Sequence, residues 1–371
     1  MTANTATGKF TEDGKRKTRE MRLPLLQIKD LRTYFFTRDG TVKAVDGVSF
    51  EAWRGEVRGI VGESGCGKSI TSLSILRLVD KPGKIVSGEI LFDGEDLLKK
   101  SERQMTHLRG KRISMIFQEP RASLNPVFRV GNQLLEVLHI HEGLGKALGR
   151  ERARKLLEQV GIPAPEKRLE NFPHELSGGM AQRVMIAMGL ACAPDLLIAD
   201  EPTTALDVTI QAQVLDLLRH LRDQLNVAII LITHDMGVVA EMADFVTVMY
   251  AGTAVEEATT QELFAEPLHP YTQGLIASIP ILGQRKEYLE VIPGTVPNLI
   301  DMPPGCRFKD RCRARIKFNL QEKCDTKEPE YYEVSPGHRV RCYIYEDGIP
   351  NTYQQNFSKS DHETGEIHES N

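Results

Sequence analysis

The sequence contains no apolar run long enough to cross a membrane, because its longest hydrophobic runs have only the length of strands. The polar and basic residues 1–22 lack the apolar segment of a signal peptide, so we expect no such leader. An excess of positive charge is also absent: the formal net charge is −4, which argues against a protein that binds nucleic acid. A chain of this kind can still lie at a membrane by docking onto a partner that spans it.

A phosphate-binding motif is present at residues 62–69, which match the pattern G-x-x-x-x-G-K-[ST]. Glycine lets backbone N–H groups approach phosphate oxygens closely, and the helix that follows points its N-terminus at the same anions. The apolar residues 56–61 predict a strand before the motif, and residues 70–76 predict a helix after it. We expect Lys68 to contact the β- and γ-phosphates and Ser69 to bind Mg²⁺. The expected nucleotide contacts are Gly62, Ser64, Gly65, Cys66, Gly67, Lys68, Ser69 and Ile70.

Two later strands are predicted to end at residues with catalytic chemistry. Residues 195–199 are almost wholly apolar and run into Asp200 and Glu201. In a parallel sheet whose strands are buried on both faces, the ligand crevice lies at the C-terminal ends of the strands. Asp200 is therefore placed to hold Mg²⁺ through water, and Glu201 to polarise the attacking water. Residues 227–233 form a second such strand, which ends at His234. His234 is predicted to contact the γ-phosphate, the alternative being a structural histidine.

A second predicted anion-binding turn lies at residues 176–183, where Ser-Gly-Gly opens a helix. One nucleotide does not need two such cradles from one subunit. Together, these motifs resemble those of the ATP-binding cassette (ABC) ATPase family, whose signature is L-S-G-G-Q. The resemblance implies that two subunits face each other head to tail and that the P-loop of one and the signature loop of the other clamp the same ATP.

The resemblance also assigns roles to single residues. It implies that Gln118 ligates Mg²⁺ and reports to a membrane subunit, that His234 is a switch, and that Phe35 stacks on adenine, although a lone aromatic there is also consistent with core packing. The residues implied to reach the ATP of the partner are Ser177, Gly178, Gly179 and Asp207. The chain departs from the general signature at Met180, where Gln is usual, and this is a trait of many peptide importers.

The expected fold class is α/β: a P-loop ABC cassette with a mixed central sheet, an antiparallel β subdomain, a helical subdomain and a small cysteine-containing C-terminal extension. We expect a flexible basic arm at residues 1–24 and an ATPase domain at 25–260, with its helical part at about 125–190. The extension is expected at 261–346 and a disordered tail at 347–371. No internal repeat is visible and the chain carries one P-loop, so a second cassette subunit is required to complete two ATP sites.

Four cysteines lie in the extension, separated by gaps of five, eleven and seventeen residues: Cys306, Cys312, Cys324 and Cys342. In a reducing cytoplasm, clustered cysteines indicate metal ligation rather than disulfides. The gaps do not match a C-x-x-C zinc ribbon. Basic residues at 307–317 are expected to lower the pKa of the thiols and to offset the charge of an anionic cluster. Free thiols and Zn²⁺ remain the alternatives at this point.

The extension also contains the strings H-P-Y-T-x-G-L, I-P-G-x-x-P and P-P-G-C-x-F-x-x-R-C, the last at residues 303–312. It is similar to the C-terminal extension of oligopeptide and dipeptide importer ATPases. That resemblance implies a [4Fe-4S] cluster on the four cysteines, and coupling of ATP hydrolysis to peptide import. The implied partners are a second ATPase subunit, expected to form a heterodimer, two transmembrane permease subunits and, indirectly, an extracellular or periplasmic peptide-binding protein.

The same resemblance implies a peripheral location on the cytoplasmic face of the cell membrane. Nickel, opine or sugar cargo is the near alternative, because other subunits choose the cargo. A soluble ABC ATPase that acts on DNA or ribosomes is a more distant one, since such proteins usually carry two cassettes or a long coiled-coil insertion. A non-enzymatic redox or iron sensor is disfavoured by the intact set of Lys68, Asp200, Glu201 and His234.

Overall fold

The computed structural model describes residues 23–204, 206–279 and 292–348. The expected arm at 1–24 and tail at 347–371 lie almost wholly outside the described residues. The strands are β1 (Leu26–Thr37), β2 (Gly40–Ala52), β3 (Val57–Val61), β4 (Gly83–Phe92), β5 (Glu95–Asp96), β6 (Ile113–Ile116), β7 (Leu196–Asp200), β8 (Ala228–Thr233), β9 (Phe245–Tyr250), β10 (Thr253–Thr259), β11 (Tyr332–Ser335) and β12 (His338–Val340). Among the helices that are described, none combines the length and the apolar character needed to cross a membrane.

The α-helices are α1 (Lys68–Ile75), α2 (Glu102–Leu108), α3 (Pro120–Ser123), α4 (Val130–Glu142), α5 (Lys146–Gln159), α6 (Pro165–Leu169), α7 (Gly178–Leu190), α8 (Val208–Leu225), α9 (Met236–Met242), α10 (Thr260–Ala265), α11 (Pro270–Ala277), α12 (Ala314–Lys317) and α13 (Gln321–Thr326). Short 3₁₀ helices lie at Leu97–Lys99, Pro173–Glu175, Lys309–Arg311 and Tyr343–Tyr345. Residues 130–190 therefore carry helices α4 to α7.

The central sheet has the strand order β11-β12-β10-β9-β3-β8-β7-β6. Its middle strands β9, β3, β8, β7 and β6 are parallel, and β3, β7 and β8 are buried at every residue. Parallel strands covered on both faces are largely apolar, which is why these segments lack alternation. The exception in β3 is Arg58, which is buried and paired with Glu257. Their carboxyl ends meet at one edge, so the residues that follow β3, β7 and β8 come together there.

A smaller antiparallel sheet, with the order β2-β1-β4-β5, lies beside the P-loop strand. β1 pairs with β2 from Leu26 opposite Ala52 to Thr37 opposite Gly40, and with β4 on its other side. The buried face of this sheet packs in one apolar cluster with Ile75 of α1 and with inward residues of β3, β7 and β8. The predicted antiparallel β subdomain and the mixed central sheet are both confirmed.

The C-terminal extension shares the central sheet with the cassette. β12 pairs with β10, with Glu256 opposite Val340, and β11 pairs with β12. The carboxylate of Glu256 is fully buried and accepts hydrogen bonds from the backbone N–H groups of Leu268 and His269 and lies 2.8 Å from Nε2 of His338. One buried acidic side chain thus joins the beginning and the end of the extension to the last strand of the cassette.

Candidate nucleotide-binding site

The P-loop follows β3 and leads into α1, as predicted. Gly62 and Gly67 have φ of 149° and 100°, a region that favours glycine. The loop also packs tightly: a Cβ on Gly62 would lie 2.1 Å from the carbonyl oxygen of Met249, and one on Gly67 would lie 2.1 Å from that of Ala44. Only glycine fits at these two positions because β2 and β9 press directly on the loop.

Lys68 lies over the concave side of this loop. Its Nζ donates hydrogen bonds to the carbonyl oxygens of Gly62 (2.8 Å) and Glu63 (3.1 Å). Ser64 and Gly65 are exposed at the mouth of the loop, and Ser69 and Ile70 are half-buried in the first turn of α1. The Cys66 thiol is buried, and that burial raises its pKa, so it is a packed neutral group. The loop therefore presents one positive charge and backbone groups to a phosphate chain.

Asp200 is the buried acid of the site. It ends β7, is 4% exposed, and its Oδ1 has no hydrogen-bond partner within the described part of the chain. Burial raises its pKa, while the Ser69 hydroxyl and the charge of Lys68 oppose that shift. An unpaired buried carboxylate oxygen is costly, and it is the hard oxygen ligand that Mg²⁺ prefers. Ser69 and Asp200 therefore fit a magnesium site, and a cation held there would supply positive charge to the phosphates.

Glu201 is the residue on which the site converges. Its carboxylate accepts hydrogen bonds from Nε2 of Gln118 (2.8 Å) and Oγ1 of Thr204 (2.8 Å), and its Oε1 lies 3.2 Å from Nδ1 of His234. Burial opposes ionisation, but the hydrogen bonds from Thr204 and His234 outweigh it and hold the pKa of Glu201 below its ordinary value. The backbone at Glu201 has φ of 46°, a left-handed conformation that is uncommon for residues other than glycine and that is found at functional sites. An ionised, oriented carboxylate at this point can polarise a water.

The structure thus brings together at one edge of the sheet the residues predicted to be catalytic, Lys68, Gln118, Glu201 and His234. Asp200, the predicted magnesium ligand, lies beside them. The contact from Thr204 was not predicted. Its only signal in the sequence is a hydroxyl in the turn that follows two carboxylates, and that pattern is common in turns without catalytic roles.

The signature loop and the turn after β7 are built on two helix N-termini. Ser177 caps α7 by accepting a hydrogen bond from the N–H of Met180 (3.3 Å), and Asp207 caps α8 in the same way through Ile210 (3.0 Å). Gly178 faces open space, whereas a Cβ on Gly179 would lie 2.9 Å from Ile210. The first turns of α7 and α8 therefore lie against each other, and Gly178 leaves the N-terminus of α7 open. Their action on the ATP of a partner stays a prediction.

Phe35 lies on β1 opposite Val42 of β2 and is half-buried. A Cβ on Gly83 would lie 2.6 Å from the Phe35 ring, so the ring packs on the turn that enters β4. The preceding residue, Tyr34, points to the other face, where its hydroxyl donates to Asp46 (2.6 Å). The role of Phe35 in adenine stacking stays a prediction.

The four cysteines of the extension, Cys306, Cys312, Cys324 and Cys342, line one narrow cavity of about 10 Å³. Within the described ranges, no group of three or more His, Cys, Asp or Glu side chains has the geometry of a metal site. The four thiols thus lie around one cavity without the arrangement of a metal site, and the [4Fe-4S] cluster stays a prediction.

The expectation that basic neighbours lower the thiol pKa values is wrong. Burial raises the pKa of Cys306 to about 12 and that of Cys324 to about 11, and it also raises those of the other two. Burial outweighs the basic neighbours: Arg315 lowers the pKa of Cys312 and Cys324, but by less than burial raises them. Two other arginines of this segment pair with carboxylates elsewhere. Arg307 pairs with Asp46, and Arg311 pairs with Glu63 of the P-loop.

Comparison with known proteins agrees with this architecture. Residues 45–204 match the family model described as ABC transporter, and residues 255–317 match the one described as oligopeptide/dipeptide transporter, C-terminal region. The chain is 51% identical to the oligopeptide transport ATP-binding protein AppD of Bacillus subtilis, over 87% of this chain and 97% of that protein. The chain belongs to the family of ABC transporter ATP-binding proteins. It is therefore an ATP-binding subunit of the ABC type and an ATPase.

Other members of this family agree. The dipeptide transport ATP-binding protein DppD of Escherichia coli is 46% identical over 86% of this chain and 97% of that protein. A solved dimeric structure of MJ0796, a bacterial ABC transporter cassette, aligns with a TM-score of 0.58 and 26% identity, over 63% of this chain and 98% of that one. The predicted ABC cassette fold is thereby confirmed.

Proposed function

We propose that this chain hydrolyses ATP to power the import of oligopeptides or dipeptides through a membrane ABC transporter. The observation that carries the proposal is the match of residues 255–317 to the peptide transporter C-terminal region, on a chain whose ATP site is intact. Relatives that align over almost their whole length are named for oligopeptide or dipeptide transport.

In the proposed mechanism, the P-loop binds the phosphates of ATP and Lys68 neutralises charge on the β- and γ-phosphates. Ser69, Asp200 and Gln118 would hold Mg²⁺, and the cation when bound would supply positive charge next to the transferred phosphoryl group. Glu201 accepts a hydrogen bond from the attacking water and withdraws its proton as the water oxygen bonds to the γ-phosphorus and the bond from that phosphorus to the ADP oxygen breaks. Gln118, Thr204 and His234 fix the Glu201 carboxylate, so its orientation is set before the water attacks.

The proposal includes a second cassette subunit. Ser177, Gly178, Gly179 and Asp207 lie on a signature loop and turn that would face the ATP of that partner, and the partner would complete the site at this P-loop. We expect a heterodimer docked on two permease subunits at the cytoplasmic face of the membrane, with the region of Gln118 as the point of contact. An extracellular or periplasmic binding protein would deliver the peptide.

The four cysteines are the proposed ligands of a [4Fe-4S] cluster, with Zn²⁺ as the alternative. Their convergence on one cavity supports the donor set. Metal binding requires the thiols to lose their protons. Such a group would tie together residues spread over 306–342.

The protein purified without oxygen is therefore expected to show broad visible absorption and stoichiometric iron and sulfide. A quadruple change of the four cysteines to serine should abolish both signals, whereas Cys192→Ser, outside the extension, should leave them intact. If the wild-type protein contains zinc but no iron or sulfide, the four cysteines bind Zn²⁺ and not a [4Fe-4S] cluster.

Cells whose only copy carries Glu201→Gln are expected to lose uptake of labelled peptides, because the transport cycle stops without hydrolysis. The matched control is Glu241→Gln, which removes an exposed carboxylate paired with Arg219 on the surface. Uptake of nickel and of a sugar is measured in the same cells. Intact peptide uptake together with loss of nickel or sugar uptake would assign the protein to a related transporter for that cargo. No defect at all would contradict a role in transport.

A further inference from the structure

Glu63, the second residue of the P-loop motif, is held from outside the cassette. Its backbone N–H donates to the hydroxyl of Tyr271 (2.8 Å), which lies on α11 in the extension. Its carboxylate accepts two hydrogen bonds from the guanidinium of Arg311, at 2.6 and 3.0 Å. Both the main chain and the side chain of this P-loop residue are therefore bound by the extension.

Arg311 is buried and held by a hydrogen bond and by two aromatic rings. Its side chain is only 6% exposed, and its Nε donates to the carbonyl oxygen of Pro293 (2.7 Å). The guanidinium lies over the rings of Tyr250 and Phe308, at 5.7 and 5.9 Å from their centroids. A planar, bidentate and buried guanidinium keeps its geometry, unlike an exposed ion pair that solvent screens.

Glu63 in turn contacts the lysine that binds phosphate. The carbonyl oxygen of Glu63 accepts a hydrogen bond from Nζ of Lys68 (3.1 Å). A continuous path of contacts therefore runs from Arg311 through Glu63 to Lys68. A shift of Glu63 would change where the ammonium group lies relative to the phosphates.

A second arginine of the extension reaches the same region. Arg307, 6% exposed, pairs with Asp46 of β2 and donates to the carbonyl oxygen of Ala251 (2.5 Å). The next residue, Gly252, donates its N–H to the carbonyl oxygen of Cys66 in the P-loop (3.0 Å). The extension thus supports the P-loop from two sides.

We propose that Arg311 and Tyr271 are positioning residues for ATP, which act through Glu63 to hold the P-loop and Lys68 in the conformation that binds phosphate. The extension thereby sets the nucleotide affinity of this subunit. The inference rests on ATP binding at the P-loop, which is part of the proposed function.

The test uses the full-length chain assembled with its partner subunits. The dissociation constant of a fluorescent ATP analogue, and KM and kcat for ATP, are measured for Arg311→Ala, Arg311→Lys, Tyr271→Phe, Glu63→Ala and the double variant Glu63→Ala/Arg311→Ala. Arg311→Ala should raise the dissociation constant and KM about tenfold, since it removes a buried guanidinium and leaves the Glu63 carboxylate without its bidentate partner, with kcat within about twofold. The double variant should be no worse than the worse single variant, and Arg311→Lys should recover part of the affinity.

The matched control is Arg339→Ala. Arg339 also joins the extension to the cassette by an ion pair, but with Glu257 on β10, away from the P-loop. Its affinity for ATP should stay within about twofold of wild type. An equal loss of affinity in Arg339→Ala would overturn the inference, because docking of the extension alone would then explain the effect.

Unchanged affinity in both Arg311→Ala and Tyr271→Phe would also overturn the inference. Tyr271→Phe keeps the buried ring, so it provides the answer if Arg311→Ala fails to fold. A wild-type complex that does not bind ATP would remove the proposed function and the inference with it. If the wild-type complex binds ATP and these variants bind it equally tightly, the inference fails while the proposed function stands.

Discussion

Replacement of Glu201 by glutamine is expected to lower ATP hydrolysis by the assembled complex by about 100-fold or more. The amide cannot withdraw a proton from the attacking water, whereas the carboxylate is held ionised by its hydrogen bonds from Thr204 and His234. The dissociation constant for ATP should stay within a few-fold of wild type, because Glu201 follows Asp200 and is not part of the P-loop. Phosphate release and nucleotide binding, measured on the same preparation, check both statements.

Thr204→Val is the graded control for this prediction. It removes one of the hydrogen bonds to Glu201 but keeps the carboxylate, so hydrolysis should fall by roughly tenfold or less. A Glu201→Gln complex with normal turnover would exclude Glu201 as the group that activates water. A Thr204→Val complex as inactive as Glu201→Gln would instead indicate that orientation contributes as much as ionisation.

The sequence was sufficient to predict the parts of the site that depend on local patterns. Buried parallel strands are largely apolar, so β3, β7 and β8 could be recognised, and functional residues follow their carboxyl ends. The P-loop motif placed Lys68 and Ser69, and the end of β7 placed Asp200 and Glu201. These residues meet because parallel strands end at the same edge of the sheet. The order of the motifs, each at the end of an apolar strand, already indicates this topology.

Contacts between residues far apart in the chain could not be predicted in this way. Arg311 is 248 positions from Glu63, and no local pattern selects this partner among the acidic residues of the chain. The basic residues near the cysteines were therefore predicted to lower the pKa values of the thiols, and the direction of that predicted shift is wrong. Burial, which depends on the whole fold, dominates those shifts.

The same two arginines link the proposed cluster site to the ATP site. Arg307 follows Cys306 and Arg311 precedes Cys312, so each arginine adjoins a proposed ligand. Residues 306–312 therefore contact the cysteine cavity on one side and the P-loop region on the other.

Gly67→Ala is expected to weaken ATP binding by about 100-fold or more. Alanine would have to adopt φ of 100°, and its Cβ would lie 2.1 Å from the carbonyl oxygen of Ala44. Backbone cannot yield as a side chain can, so the P-loop must move away from β2, and Lys68, the next residue, moves with it. The dissociation constant of a fluorescent ATP analogue is the quantity to measure, with thermal unfolding as the check on folding.

Gly65→Ala is the matched control, because it isolates backbone conformation from crowding. Gly65 lies in the same loop with φ of 79°, but a Cβ there would meet no atom within 4 Å. It should cost only the preference of glycine for this region, about 1 kcal/mol, or roughly a fivefold loss of affinity. Lys68→Ala provides a second variant that keeps the loop backbone and removes the ammonium group, and it should also bind ATP poorly. Equal losses of affinity in Gly65→Ala and Gly67→Ala would indicate that φ, rather than contact with Ala44, is the reason that glycine is required at position 67. Wild-type affinity in Lys68→Ala would contradict the P-loop assignment itself.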